Sequence, residues 1–76
     1  MKNLLTFLVK NITGKTDFEI SQSEEEGRVN LTLKIEKEAI GLVIGKEGKT
    51  IKNIRKILSI LGVFQQKSVS ISVSEK

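Results

Sequence analysis

The sequence predicts an α+β domain in which a three-stranded mixed sheet is covered on one face by three helices, in the order αββααβ. Three segments alternate apolar and polar residues with a period of two, which is typical of strands with one buried face. Three others repeat apolar residues at helical spacing, which is typical of amphipathic helices. The chain has 76 residues, so we expect a single domain over residues 1–76 with one small core.

The first half of the chain predicts a helix followed by a β-hairpin. Residues 2–12 place leucine, valine and isoleucine on one helical face, and Gly14 provides the stop. Two alternating segments follow, at 17–23 and 28–36, and the turn between them is expected at 24–27. These two strands should therefore pair in antiparallel fashion.

The second half predicts two helices and a last strand. A helix of about two turns is expected over 38–44, a longer one over 49–61 with Gly62 as its stop, and a strand over 68–74. Because two helices separate the second strand from the third, these strands should run parallel with a right-handed crossover. In the longer helix, the residues expected to face the core are Ile51, Ile54, Ile57, Leu58 and Leu61.

The loop between these two helices is the only stretch that suggests a ligand. Gly45 and Gly48 stand three residues apart, just before the longer helix. Glycine has no Cβ, so a phosphate can approach main-chain N–H groups there, and the dipole at the helix N-terminus favours its negative charge. Lys46 and Lys49 add positive side chains beside it.

The net charge of +4 is unevenly distributed along the chain. Residues 37–56 contain six basic and two acidic side chains, whereas residues 17–27 contain five acidic and no basic ones. A basic middle segment fits a polyanionic partner, although an ordinary solvated helix surface explains the same charges. At about 100° per residue, one face of the longer helix collects Lys49, Lys52, Arg55 and Lys56.

Residue types that the chain lacks exclude several functional classes. With no cysteine and no histidine, the commonest metal ligands and the commonest general base are missing, and we expect no cofactor, no metal and no enzymatic activity. The stretch Gly48-Lys49-Thr50 is similar to the end of a P-loop, but Val43 stands where that motif needs its first glycine. No apolar run is long enough to cross a bilayer and no signal-peptide cleavage site is visible, so we expect a cytoplasmic protein.

The glycine loop and its surroundings carry a family resemblance. The stretch Val43-Ile44-Gly45-Lys46-Glu47-Gly48-Lys49-Thr50-Ile51 lies between two helices and is followed by a strand, and it resembles the GxxG loop of KH RNA-binding domains. The element order is that of the type II KH fold, and the whole chain is similar to bacterial stand-alone single-KH proteins of the KhpA type. This resemblance implies a small protein that binds single-stranded RNA, as a post-transcriptional regulator or RNA chaperone.

The resemblance also implies which residues hold the RNA. In KH domains the glycine loop clamps the backbone of about four nucleotides, and the bases lie in a shallow groove. We expect Ile40 and Ile51 to line this groove, with no Trp or Tyr in the chain to stack on a base. The residues expected to contact RNA are Gly41, Val43, Ile44, Gly45, Lys46, Glu47, Gly48, Lys49, Lys52 and Arg55.

Two features depart from the family pattern. Leu42 occupies a position that is often basic in KH domains, which removes a possible phosphate contact. The turn at 24–27 corresponds to the variable loop that flanks the groove, and its three glutamates would repel phosphate there.

A protein-interaction module, with weak or no RNA binding of its own, is the alternative interpretation. Phe7, Ile60, Val63 and Phe64 do not fit the predicted core stripes and could form an apolar patch for a partner. Proteins of the KhpA type are known to self-associate and to pair with Jag-type KH proteins. We therefore expect a homodimer through the end of the 49–61 helix, with the glycine loop left free, and a heterodimer with a Jag-type KH protein is also possible.

Overall fold

The computed structural model describes all residues from 1 to 76 and confirms the predicted order of elements. A single 3-10 turn over Lys46–Gly48 separates the second helix from the third. The elements are α1 (Lys2–Thr13), β1 (Glu19–Glu25), β2 (Arg28–Ile35), α2 (Lys37–Ile44), α3 (Lys49–Phe64) and β3 (Ser68–Glu75). The longest helix, α3, has 16 residues, and no helix is both long enough and apolar enough to span a membrane.

The sheet has the strand order β1-β2-β3, with β1 antiparallel and β3 parallel to the central strand β2. Both pairings follow the prediction. The alternation of β2 turns Val29, Leu31, Leu33 and Ile35 inward, where all four are buried. The helices contribute the other side of a core of 13 hydrophobic residues that contains no polar or charged side chain.

The hairpin differs from the prediction in where its turn lies. Glu24 and Glu25 belong to β1, which begins at Glu19 rather than at residue 17. Only Glu26 and Gly27 form the turn, and both have positive φ, 51° and 78°. A two-residue turn with left-handed backbone at both positions matches the right-handed twist of the strands that it joins.

The end of α3 also differs from the prediction, because Gly62 lies inside the helix and is buried there. The helix continues to Phe64 and ends through Gln66, which adopts the left-handed conformation with φ 57°. The N–H of Lys67 then donates to the carbonyl oxygen of Gly62 at 2.8 Å, and that of Gln66 to the carbonyl of Val63 at 3.1 Å. This pair of hydrogen bonds is a Schellman ending, with glutamine in the place that glycine usually takes.

The predicted core face of α3 is largely confirmed. Ile51, Ile54 and Leu58 are buried and Leu61 is half-buried. The prediction for Ile57 was wrong, because this side chain stands at the margin of the apolar stripe and is 42% exposed.

Candidate nucleic-acid interface

The glycine loop is a tight connection between α2 and α3. The N–H of Gly45 donates to the carbonyl oxygen of Gly41 at 2.8 Å and so closes α2, and the N–H of Gly48 donates to the carbonyl of Gly45 at 3.2 Å. Three of the four loop residues have positive φ, at Gly45 (78°), Glu47 (57°) and Gly48 (72°). The left-handed conformation of Glu47, which has a Cβ, costs on the order of 1 kcal/mol. The loop therefore holds even a non-glycine residue, Glu47, in a backbone conformation that such residues rarely adopt.

Glycine is required at the two loop positions for different structural reasons. A Cβ built at Gly45 would lie 2.6 Å from the Cβ and 2.9 Å from the backbone nitrogen of Thr50, and it would also meet the Thr50 hydroxyl. At Gly48 the nearest atom to such a Cβ is 4.0 Å away, in Ile51. Gly45 is thus required by packing against α3 as well as by its dihedral angles, whereas Gly48 is required by its dihedral angles alone. The packing role of Thr50 has no signal in the sequence pattern.

The basic side chains around the loop are available to a ligand. The structure contains two ion pairs, between Lys15 and Glu36 and between Lys67 and Glu24, and neither involves a residue of the loop or of the basic face of α3. Five charged residues are predicted to contact RNA, and all five are exposed and have no ion-pair partner. They are Lys46, Glu47, Lys49, Lys52 and Arg55.

The apolar residues predicted at the interface divide into two groups. The side chain of Val43 is entirely buried and Ile51 is nearly so, and both belong to the hydrophobic core. Their side chains therefore belong to the core, and the expected contact of Val43 with RNA is left to its backbone. Ile40 and Ile44 are half-buried, and each leaves part of its surface open at the α2 side of the loop.

The exposed surface of α2 carries Gly41 and Leu42. A Cβ at Gly41 would meet nothing within 4 Å, so no neighbouring atom in the fold requires a glycine there. Leu42 is 52% exposed, as expected for an apolar residue at a position that is often basic. Backbone and aliphatic surface therefore lie side by side next to the cationic loop.

The acidic hairpin turn does not flank this interface, contrary to the prediction. The N–H of Ser68, at the start of β3, donates to the carbonyl oxygen of Gly27 at 2.9 Å, so the turn lies beside the end of α3. The glycine loop lies at the other end of that helix, which is about 24 Å long at about 1.5 Å per residue. In addition, the Glu24 carboxylate is paired with the Lys67 ammonium at 2.8 Å. The turn therefore gives no reason to expect repulsion of a phosphate at the loop.

The loop is part of an open surface rather than a pocket. The one concave cavity, of about 460 Å³, lies between α1 and the start of β1 and includes no loop residue. No group of acidic, histidine or cysteine side chains is arranged to hold a metal ion. An extended, anionic chain fits such a surface better than an enclosed small molecule does.

Comparison with known proteins agrees with this arrangement. A protein-family model described as the KH domain of KhpA/KhpB matches residues 2–73. The chain belongs to the KhpA/KhpB family of KH domains. Its three helices and mixed three-stranded sheet form the type II KH fold, and the P-loop interpretation is set aside, since a helix, α2, precedes the loop.

Relatives of similar length support the assignment to the KhpA/KhpB family. The chain is 36% identical to RNA-binding protein KhpA of Chlamydia trachomatis, over 100% of this chain and 99% of the relative. The proteins of the same name from Clostridium perfringens and Thermotoga maritima are 30% and 32% identical, each over 96% of this chain. These relatives are named for binding and not for a reaction, in agreement with the prediction that the chain is not an enzyme. No solved structure matches.

Proposed function

We propose that this chain binds single-stranded RNA at its glycine loop. One observation carries the proposal: four basic side chains are exposed without carboxylate partners, and they are Lys46, Lys49, Lys52 and Arg55. They lie beside a turn in which Gly45 and Gly48 carry no side chain. The names of the KhpA relatives support RNA as the polyanion.

The backbone of the RNA is held by the loop and the first turns of α3. A phosphate at the loop meets the N-terminal end of the α3 dipole, and no Cβ at Gly48 blocks its approach. The N–H groups of Gly45 and Gly48 themselves donate within the protein, to the carbonyls of Gly41 and Gly45. Lys46 and Lys49 supply the nearest positive charges. Lys52 and Arg55 follow on α3 at intervals of about one helical turn, in position for the phosphates of adjacent nucleotides.

The bases lie along the exposed surface of α2, where a ring can approach the backbone of Gly41 and the side chains of Leu42 and Ile44. Aliphatic contacts of this kind are tolerant of sequence, and the chain has no Trp or Tyr for strong stacking. We therefore expect modest affinity and weak base preference, which suit a post-transcriptional regulator or an RNA chaperone that acts on many RNAs.

The double substitution Lys46→Asp with Glu47→Asp tests the proposal. It places two carboxylates where the phosphate must lie, and aspartate accepts the left-handed conformation of position 47 better than most residues do. Fluorescence anisotropy with a labelled single-stranded RNA of mixed sequence should show binding weakened by at least about tenfold. Circular dichroism should show an unchanged fold, because both side chains face solvent.

The substitution Lys2→Asp is the matched control, since it changes the net charge by the same amount on an exposed position of α1. It should leave RNA binding nearly unchanged. Normal binding by the double variant, or an equal loss in the control, would show that the loop is not the site.

We also propose that the protein self-associates through an apolar surface at the end of α3. This α3 patch consists of Ile57, Ile60, Val63 and Phe64, whose exposed fractions are 42%, 53%, 76% and 83%. The four residues lie on one side of the helix, because Ile57, Val63 and Phe64 are each three or four positions from Ile60. A Jag-type KH protein is the second candidate for the same patch. Either partner leaves the glycine loop, at the other end of α3, free for RNA.

A further inference from the structure

The two edges of the sheet are protected to different degrees. A strand edge with unpaired backbone groups is a template for another strand, and proteins usually block it with charge or proline. The β1 edge carries Glu19, Glu24 and Glu25. In β3 the seven residues from Ser68 to Ser74 contain no charge and no proline, and they alternate serine with valine and isoleucine.

The hydrogen bonds to β2 show which backbone groups of β3 are free. The N–H of Ser68 donates to Gly27 and that of Lys76 donates to Ile35, both at 2.9 Å. Because N–H and C=O groups point to alternate sides along a strand, the even-numbered residues of β3 direct these groups toward β2. The odd-numbered residues Val69, Ile71 and Val73 therefore direct theirs to the open edge.

The sequence of this edge is a palindrome. Ser68-Val69-Ser70-Ile71-Ser72-Val73-Ser74 reads the same in both directions about Ile71. Two identical strands paired antiparallel about a two-fold axis at Ile71 place Ile71 opposite its copy and Val69 opposite Val73. All of these residues direct backbone donors and acceptors to the edge, so every such group in the three residues meets a partner. The register in which the sequence is self-complementary is therefore also the register in which the free backbone groups pair.

The charges that flank the palindrome are complementary in the same register. Lys67 comes just before β3 and Glu75 ends it, so the two-fold axis brings Lys67 of each copy near Glu75 of the other. Glu75 has no ion-pair partner within its own chain, whereas Lys67 reaches Glu24. Opposite charges across a strand pair favour the pairing.

We propose that a second copy of this chain pairs with β3 along its free edge, antiparallel and centred on Ile71, so that one sheet runs through both copies. Val69 and Val73 are only half-buried, so the inner side of the edge is still open to cross-strand contact. This contact is independent of RNA binding and of the α3 patch, and it predicts a specific residue register.

Disulfide formation between single-cysteine variants tests that register, because the natural chain has no cysteine. Ser70 and Ser72 of the two copies are opposite each other in a non-hydrogen-bonded pair, where Cα atoms are about 4.5 Å apart, within disulfide range. Mixing the Ser70→Cys and Ser72→Cys proteins under mild oxidation should give a mixed disulfide dimer. Each variant alone, and the mixture of Ser68→Cys with Ser72→Cys, should react at least about tenfold more slowly, since their sulfurs lie about 7 Å or more apart.

The measurement is made in the Ile60→Lys background, so that association through the α3 patch does not contribute. Equal rates for all combinations would indicate random collision and would overturn the proposal. Faster reaction of Ser70→Cys with itself would overturn the register centred on Ile71.

A charge exchange tests the same contact without a covalent trap. The variant Ser70→Lys with Ser72→Lys brings like charges together across the axis, and so does Ser70→Glu with Ser72→Glu. In the same Ile60→Lys background, sedimentation should show that the self-association of each variant alone is weakened by about tenfold, and a mixture of the two should associate again. Ser70→Lys with Ser72→Glu is the matched control and should retain self-association. Loss of association in this control, or no recovery in the mixture, would contradict edge pairing.

Discussion

Gly62 and Lys67 are in contact through their backbones: the Lys67 N–H donates to the Gly62 carbonyl at 2.8 Å, and a Cβ at position 62 would lie 2.7 Å from the Lys67 carbonyl oxygen. The chain leaves α3 and turns directly into β3, so the returning strand passes over the last turns of the helix. Val69 follows at the same place, with its Cγ2 atom 2.8 Å from the position of that Cβ. Any side chain at 62 would therefore push α3 and β3 apart.

The substitution Gly62→Ala should destabilise the domain by about 1–3 kcal/mol, because the methyl group overpacks this contact against backbone atoms that cannot move away. Gly41→Ala is the matched control. It makes the same chemical change inside a helix where the space is open, and it should stabilise by about 0.5–1 kcal/mol. Urea unfolding followed by circular dichroism measures both. Equal effects of the two substitutions would contradict the packing described for Gly62.

The substitution Gln66→Gly should stabilise the domain. Glutamine at φ 57° carries a left-handed strain of about 1–2 kcal/mol, and glycine removes it at an entropic cost of about 0.5–1 kcal/mol. A small net gain in the free energy of unfolding is expected. Gln65→Gly is the control, because Gln65 has a negative φ of −95° and glycine there brings only the entropic cost. If Gln66→Gly lowered the free energy of unfolding as much as Gln65→Gly does, the result would argue against the Schellman ending.

The two loop glycines should respond differently to alanine. Gly45→Ala introduces a clash with Thr50 in a backbone region that only glycine readily adopts, and we expect more than about 3 kcal/mol of destabilisation or a rearranged loop. Gly48→Ala meets open space and should cost only about 1–2 kcal/mol. Thermal unfolding of the two variants compares them directly. If Gly48→Ala were the more damaging of the two, the packing assigned to Thr50 would be wrong.

RNA binding should weaken with salt in proportion to the number of phosphates contacted. For single strands the slope of log affinity against log salt is about −0.7 per phosphate, so two to four contacts predict a slope of about −1.5 to −3. Lys46→Ala, Lys49→Ala and Lys52→Ala should each reduce the slope by about 0.7. Lys34→Ala, at an exposed position on β2, serves as the control and should leave it unchanged. Affinity that does not depend on salt would rule out the phosphate clamp.

The substitution Ile60→Lys should weaken self-association through the α3 patch, because it places a charge within an apolar contact. Ile60 is half-exposed in the monomer, so the fold should be retained. Ser59→Lys adds the same charge at the neighbouring exposed position outside the patch and should have little effect. Sedimentation velocity over a range of concentrations distinguishes these outcomes. A wild-type protein that remains monomeric at high concentration would refute both self-contacts. If Ile60→Lys and Ser59→Lys weakened self-association equally, only the α3 patch would be refuted.

The order of elements and the strand pairing could be predicted from the sequence because both depend on periodicity and on chain connectivity. The alternation of β2 is regular, and the connection of β2 to β3 through two helices is long enough for the crossover that the observed parallel pairing needs. The exposure of Ile60 followed from helical phase for the same reason.

The misplaced boundaries occur where residues adopt backbone conformations that their type does not favour. Glu26 and Gln66 both have positive φ, although glycine or asparagine is the usual signal for such positions. The sequence favours Gly62 as a helix stop because glycine often ends a helix, whereas in the structure it allows close packing within one. The burial of Val43 and the distance of the acidic turn from the loop both depend on three-dimensional packing, which local patterns do not record.

The position of β2 between its two neighbours affects the order in which its two edges can be paired. Strand β1 pairs with β2 through a two-residue turn, so the hairpin needs only local contacts and can close within microseconds. The opposite edge of β2 pairs with β3, which lies beyond both helices and the loop, so this pairing has to wait for a much longer segment to be ordered. Until then, the most buried strand of the native protein has an open edge and an uncovered apolar face.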